Sequence, residues 1–243
     1  MKKGKHVLCE KPIAVNQADA KRMIETARAN EVFLMEALWT RFNPCIEAVL
    51  NHVKKGDIGK VKYINADFTF MGISRTKDRL LNPKLAGGAL LDIGVYPIFL
   101  SYLLLGNPIK IISEAMLHSN GVDLHTAMLL KYDHAICNLS CGFTSESQMV
   151  AKICGSEGTI LIGSRWIDAN QFKIIRRVDN EEVIEEKRFE WLGKGYSYEI
   201  MECVKSIKAG VFESRLWSHQ NSLDLLAITD EVRKQIGLKY PFE

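Results

Sequence analysis

Apolar runs and amphipathic stretches alternate from the first residues onward. His6-Val7-Leu8-Cys9-Glu10 is a short apolar run stopped by Pro12 and reads as a buried strand. Asn16 is placed to cap a helix over residues 17–30, with Ala18, Met23 and Ala27 on its buried side. Val32-Phe33-Leu34-Met35-Glu36 reads as a second buried strand. Strand, helix and strand within about thirty residues make one βαβ unit of a parallel sheet. Asn43-Pro44 then opens a helix that Gly56 ends, with Pro44 suited to the first helical position.

From Lys60 the texture changes to strands. Runs at 60–70, 110–118, 124–132, 135–143, 148–154, 159–162, 172–177 and 182–186 are joined by turns such as Asp133-His134 and Gly155-Ser156-Glu157-Gly158. A helical stretch over 87–106 interrupts them, with a break or kink expected at Pro97. Two amphipathic helices, about 196–209 and 220–237, close the chain. The fold class is therefore α/β. A piece of parallel sheet (residues 1–37) precedes an α+β domain (38–243) with one large, open, mostly antiparallel or mixed sheet and helices on one face.

Composition narrows the partners. The chain has 243 residues, 47% hydrophobic and 25% charged, which excludes whole-chain disorder, collagen-like repeats and coiled coil. A formal net charge of +3 is too small and scattered to argue for nucleic acid. The six cysteines form no CxxC pair and are expected as free thiols in a reducing cytosol. The most apolar stretch, 86–105, is interrupted by Asp92 and Pro97, so no membrane span is expected; nor does an apolar run follow Lys2-Lys3-Gly4-Lys5 as in a signal peptide. The expectation is a cytoplasmic protein.

Candidate chemistry sits in two places. Glu10-Lys11-Pro12 follows the first strand, and parallel sheets bind ligands beyond the carboxyl ends of their strands. Taken alone, a plain surface lysine after a strand is the better account of Lys11. In Gly87-Gly88-Ala89-Leu90-Leu91-Asp92-Ile93-Gly94-Val95-Tyr96-Pro97, Asp92 and Tyr96 are the polar members of an apolar run and lie on one side of a regular helix. A carboxylate and a phenol near a lysine suit proton transfer, and an adjacent ammonium lowers a phenol's pKa. Taken alone, a buried tyrosine and an acidic residue near a helix N-terminus explain the pair. The histidines show no metal-ligand spacing, so no metal is expected. Gly193-Lys194-Gly195 lacks the third glycine of GxGxxG, Tyr198 standing there, and reads as a loop leading into a helix.

Together, Cys9-Glu10-Lys11-Pro12, Leu38-Trp39-Thr40-Arg41-Phe42-Asn43-Pro44, Gly56-Asp57-Ile58-Gly59, the Gly87–Tyr96 segment and the closing Tyr240-Pro241 resemble the Gfo/Idh/MocA family of nicotinamide-dependent oxidoreductases. The tyrosine at position 96 is most similar to the form in its dihydrodiol dehydrogenase and D-xylose dehydrogenase branch. The resemblance implies a Rossmann domain for NADP or NAD, of which residues 1–37 are the last part, and a substrate-binding and dimerisation domain. It implies that Lys11, Asp92 and Tyr96 are catalytic and that Glu10, Lys11, Pro12, Trp39 and Arg41 line the cofactor cleft. The implied reaction is hydride transfer between nicotinamide and a CH–OH of a sugar or cyclic diol.

The sequence departs from the family in containing no strand–GxGxxG–helix. At about thirty residues per βαβ unit, two or three units are expected to be absent, with weak coenzyme binding and impaired activity as the result. A non-catalytic sugar-binding or dimerisation module is the alternative. The strands at 124–132 and 135–143 carry apolar residues on both faces, too many for the helices to cover. A homodimer through the open sheet is therefore expected, with a charge at Met128 or Leu139 telling which face pairs.

Overall fold

The computed structural model describes residues 1–73 and 79–243. Strand β1 (Val7–Glu10), helix α1 (Gln17–Ala29) and parallel strand β2 (Leu34–Ala37) form the βαβ unit. The Asn16 side chain caps α1 by accepting from the Asp19 N–H. The buried stripe is Ala20, Ile24 and Ala27. Ala18 is exposed rather than buried, since two residues of helix turn it about 200° from Ala20. All of β2 is buried, but β1 is not, and Leu8 is 39% exposed. The difference lies in what flanks each strand: β2 is hydrogen-bonded on its far edge, Leu34 N–H to the Phe212 carbonyl (3.0 Å), while β1 pairs only with β2 among the described residues.

Trp39–Phe42 forms a single 3₁₀ turn, and Asn43 caps helix α2 (Pro44–Lys55), which ends at Gly56 in the left-handed conformation. Strand β3 (Val61–Thr69) follows. Later come helix α3 (Val95–Leu105) and strands β4 (Lys110–Leu117), β5 (Asp123–Lys131), β6 (Ile136–Gly142), β7 (Ala151–Gly155), β8 (Gly158–Ile162), β9 (Gln171–Val178) and β10 (Glu181–Arg188). Helices α4 (Ser197–Lys208) and α5 (His219–Ile236) close the chain. The eight strands form one sheet in the order β10-β9-β8-β7-β3-β6-β5-β4. Every neighbouring pair is antiparallel except β3 and β6, so the sheet is mixed.

The helical stretch before β4 is irregular in the turn just ahead of Pro97. Leu90–Gly94 is a π turn in which the Val95 N–H reaches the Leu90 carbonyl. Regular α-helix runs on from Val95, and the missing N–H of Pro97 leaves the carbonyls of that π turn short of a donor; the Lys11 ammonium takes up the one on Asp92. The reading of this stretch as too short and too interrupted to span a membrane also needs correction. Pro83–Leu105 is long and apolar enough by composition, with a mean hydropathy of 1.7, and 72% of its most apolar window is buried inside the protein.

The two faces of the large sheet differ. On one, Ile64, Ala66, Met128, Leu130, Cys137, Leu139 and Ile153 are buried beneath α3, which packs on β3 and β6, and α5, which packs on β4. On the other, cross-strand register aligns Ile112, Leu129 and Asn138 in one row and Lys131, Ile136, Tyr63 and Cys154 in the next. Ile112 (51% exposed), Ile136 (44%) and Leu129 (38%) make this face open and half apolar. Met128 and Leu139 are register partners on the covered face, so charges there do not distinguish the faces; Leu129 is the position that does.

The expected outcome is a sharp contrast between adjacent residues. Met128→Glu leaves an uncompensated charge in the core and costs on the order of 3–5 kcal/mol, whereas Leu129→Glu stays within about 0.5 kcal/mol for the folded protomer. Denaturant unfolding of both variants measures the difference.

Candidate active site

Lys11 follows β1 at the edge of the parallel pair, and its peptide to Pro12 is cis. The loop is fastened two residues later, where the Ile13 N–H donates to Glu36 Oε1 at 3.0 Å. Glu36, at the buried end of β2, also receives Ser222 Oγ–H (2.6 Å) and Trp217 Nε1–H (3.0 Å) on its other oxygen. Burial pushes its carboxyl up, against those three hydrogen bonds.

The partner segment is fastened as tightly. Buried Asp123, at the start of β5, accepts the Leu90 N–H at 2.8 Å and the Thr126 hydroxyl at 2.8 Å, which pins the first turn of the helical stretch. Gly88 is required there, because at φ +122° a Cβ would lie 2.2 Å from Asp123 Oδ1. The Tyr240 hydroxyl donates to the Gly87 carbonyl at 2.9 Å, so the Tyr240-Pro241 end of the chain holds the same segment.

These fixings bring Lys11 to residues 81 and more positions away. Its ammonium hydrogen-bonds the Asp92 backbone carbonyl, lies 3.5 Å from Asp92 Oδ1 and stands 5.2 Å from the centre of the Tyr96 ring. Arg79 reaches the same carboxylate oxygen at 3.3 Å. A cleft of about 210 Å³ beside them is lined by Lys11, Pro12, Arg79, Leu91 and Asp92. Burial lowers the Lys11 pKa and the Asp92 carboxylate opposes that shift.

Tyr96 behaves differently from the sequence expectation. Its hydroxyl accepts the Trp39 indole N–H at 2.8 Å, and Lys11 faces the ring. Burial pushes the phenol well above its ordinary range, the Trp39 hydrogen bond opposing it, so the nearby ammonium does not set the direction. Aromatic rings surround the pair: Phe68 lies 5.6 Å from Tyr96, and Tyr196 and Trp191 lie 5.0 and 6.4 Å from Trp39.

Of the residues expected at the cofactor cleft, Lys11, Pro12 and Trp39 belong to this cluster. Glu10 is exposed at the end of β1. Arg41 has its groups committed elsewhere, donating to Glu47 Oε2 (2.7 Å) and the Leu216 carbonyl (2.9 Å) while buried. Sequence reasoning missed Glu36, Asp123, Arg79 and Glu199. A carboxylate ending an otherwise apolar strand was a legible signal for Glu36; the others depend on contacts that cross the fold. Glu199, in the first turn of α4, is buried with its Oε2 unpartnered among the described residues.

The nicotinamide dinucleotide that the resemblance implies fits these residues at one end only. The carboxyl end of β1 offers Lys11 and a cleft, which suits a nicotinamide and a substrate oxygen. No glycine turn follows β1, and the N-terminus of α1 already carries the Asn16 cap and Asp19 in its first turn, which disfavours a pyrophosphate.

Residues 1–38 match an oxidoreductase family, NAD-binding Rossmann fold, and residues 46–161 match the GFO/IDH/MocA C-terminal domain. A trans-1,2-dihydrobenzene-1,2-diol dehydrogenase of Xenopus tropicalis is 34% identical over 99% of this chain and 74% of its own length. The scyllo-inositol 2-dehydrogenase (NADP(+)) IolU of Bacillus subtilis is 35% identical, again over 99% of this chain and 74% of its own. The aldose-aldose oxidoreductase of Caulobacter crescentus, solved with glycerol, superposes with a TM-score of 0.84 at 22% identity, covering 96% of this chain and 70% of that one.

Glu199 yields a pH prediction. Burial raises its carboxyl from the ordinary 4.5 to about 7, so the folded protein holds a proton that the unfolded chain releases. That contribution to stability is complete below pH 4.5 and falls as pH rises to 7. Thermal melts at pH 4.5 and 7 should show wild type losing stability relative to Glu199→Gln over this window; parallel curves contradict the assignment.

Proposed function

The chain belongs to the Gfo/Idh/MocA family of oxidoreductases, and on that premise we propose that Lys11, Asp92 and Tyr96 serve hydride transfer between a nicotinamide coenzyme and a CH–OH carbon of a sugar or cyclic diol. The convergence of Lys11 on Asp92 and Tyr96, from segments 81 and more residues apart in the chain, carries this reading. The division into residues 1–37 and 38–243 belongs to it as well.

When bound, the coenzyme supplies the hydride chemistry. The protein handles the proton. Because burial holds Tyr96 protonated, its hydroxyl is a proton donor to an oxygen that gains charge as a carbonyl is reduced, and the base in the reverse direction. The Trp39 indole N–H stays on the Tyr96 oxygen and stabilises it once the proton has left. Lys11 adds a positive charge across the ring face. Asp92, held by Lys11 and Arg79, is placed to accept a neighbouring substrate hydroxyl.

A second reading, a sugar-binding or dimerisation module without catalysis, is favoured by the lack of a GxGxxG turn in the 243 residues. Coenzyme titration separates the two. These 243 residues on their own should bind NADPH and NADH weakly, and micromolar affinity by nicotinamide fluorescence overturns that expectation. In a polypeptide that joins them to a strand–GxGxxG–helix, Tyr96→Phe should lower kcat at least ~10²-fold with little change in coenzyme affinity. Unchanged turnover removes Tyr96 from the proton path.

The homodimer belongs to the same proposal. Ile112, Leu129, Ile136 and Ile184 give the open sheet face an apolar belt, and Lys131 and Glu114 beside it give charges of both signs, which suits a second copy related by a two-fold axis. Light scattering at tens of micromolar should give a dimer, and Leu129→Glu a folded monomer. A monomeric wild type refutes the pairing.

A further inference from the structure

A second cleft is formed by the loop between β8 and β9 and by Trp191, one of the rings beside Trp39. Its volume is about 410 Å³, and Ser164, Arg165, Asp168, Asn170, Gln171 and Trp191 line it. That size lies within the range of small-molecule sites. The loop is pinned from below: Thr40 Oγ1 donates to the Ile167 carbonyl, Asn43 Nδ2 to the Ala169 carbonyl and Trp166 Nε1 to the Asp67 carbonyl, each within 2.9 Å. Arg165 is left-handed (φ 59°), a conformation rare for a residue with a side chain. It turns its guanidinium onto Asp168 at 2.6 Å, at the rim of the cleft. The Ser164, Asn170 and Gln171 side chains are exposed and have no hydrogen-bond partner of their own among the described residues.

The chemistry of this lining is specific. An aromatic ring offers a face for the C–H side of a saccharide ring. Two amides, a hydroxyl and a guanidinium–carboxylate pair offer donors and acceptors for neighbouring hydroxyls. The Arg165–Asp168 pair has no net charge, so the lining suits a neutral polyol better than a phosphate or carboxylate. The cleft shares an aromatic wall with the catalytic cluster. Trp191 stands 6.4 Å from Trp39, whose indole reaches the Tyr96 hydroxyl. Gly195 (φ +92°) keeps both rings there, since a Cβ would lie 2.2 Å from Trp191 and 2.8 Å from Trp39.

We propose that this cleft is a second saccharide subsite, so that the substrate is a glycoside or disaccharide whose terminal ring meets Tyr96 while its neighbour occupies the cleft. The proposal rests on the sugar-oxidising reading above and adds the length of the substrate to it.

Calorimetric titration of the chain without coenzyme tests it, with D-glucose and D-xylose against cellobiose and maltose. At least one disaccharide should bind at least ~10-fold more tightly than D-glucose, as one or two added hydrogen bonds allow. The double variant Asn170→Ala/Gln171→Ala, both surface positions, should remove that gap and leave D-glucose unchanged. Trp191→Ala should remove it too. Disaccharides that bind no more tightly than D-glucose, or a gap that survives both variants, overturn the subsite. Failure of hydride transfer is read separately, in coenzyme reduction, and leaves the affinity gap as the measure of the cleft.

Discussion

A carboxylate taken out of water must be met by donors, and Glu36 is where this requirement organises the molecule. It is 2% exposed, and the groups that meet it come from the loop after β1, from Trp217 and from the first turn of α5. Removing any one leaves a buried carboxyl oxygen short of a donor, so these three segments are fixed relative to one another. Lys11 lies two residues from one of those contacts. Its reach to Asp92 is thus a property of the whole arrangement, in which the C-terminal helix is as necessary as the strand that carries the lysine. Asp123 plays the corresponding part for the opposite wall, where it satisfies the start of the helical stretch that bears Asp92 and Tyr96.

Burial dominates the electrostatics of the cluster. A lysine beside a tyrosine suggests, in one dimension, a phenol made acidic. In the folded protein the same crowding that brings them together strips water from both, and that loss outweighs their mutual effect. The two groups are consequently both biased toward their uncharged forms, and the Trp39 N–H becomes the direct support of the tyrosine oxygen.

Much of the fold was legible in the sequence because it depends on local rules. Asn16 and Asn43 cap their helices, Gly56 ends one, and period-two alternation marks the strands of the large sheet. Lys11, Asp92 and Tyr96 were legible as motifs and meet in space. What was not legible depends on neighbours distant in the chain. The exposure of β1 follows from what flanks its edge. The face of the sheet that holds Met128 follows from where the helices pack. The commitment of Arg41 to Glu47 and Leu216 follows from the Trp39–Phe42 turn and from a carbonyl 175 residues further on.

The π turn at Leu90–Gly94 has an evolutionary corollary. An i→i+5 closure holds one residue more than an α-helical turn, and each residue of helix is worth about 100° of rotation. Asp92 lies inside that turn and Tyr96 just beyond it, so their relative bearing is set by a junction rather than by one continuous helix. Loss or gain of a single codon within the turn would swing the acid about the axis while the tyrosine and everything after it kept their seats against the sheet. Such a junction lets one side of a pocket be re-aimed by an insertion or deletion, a larger step than substitution offers, without disturbing the packed core behind it.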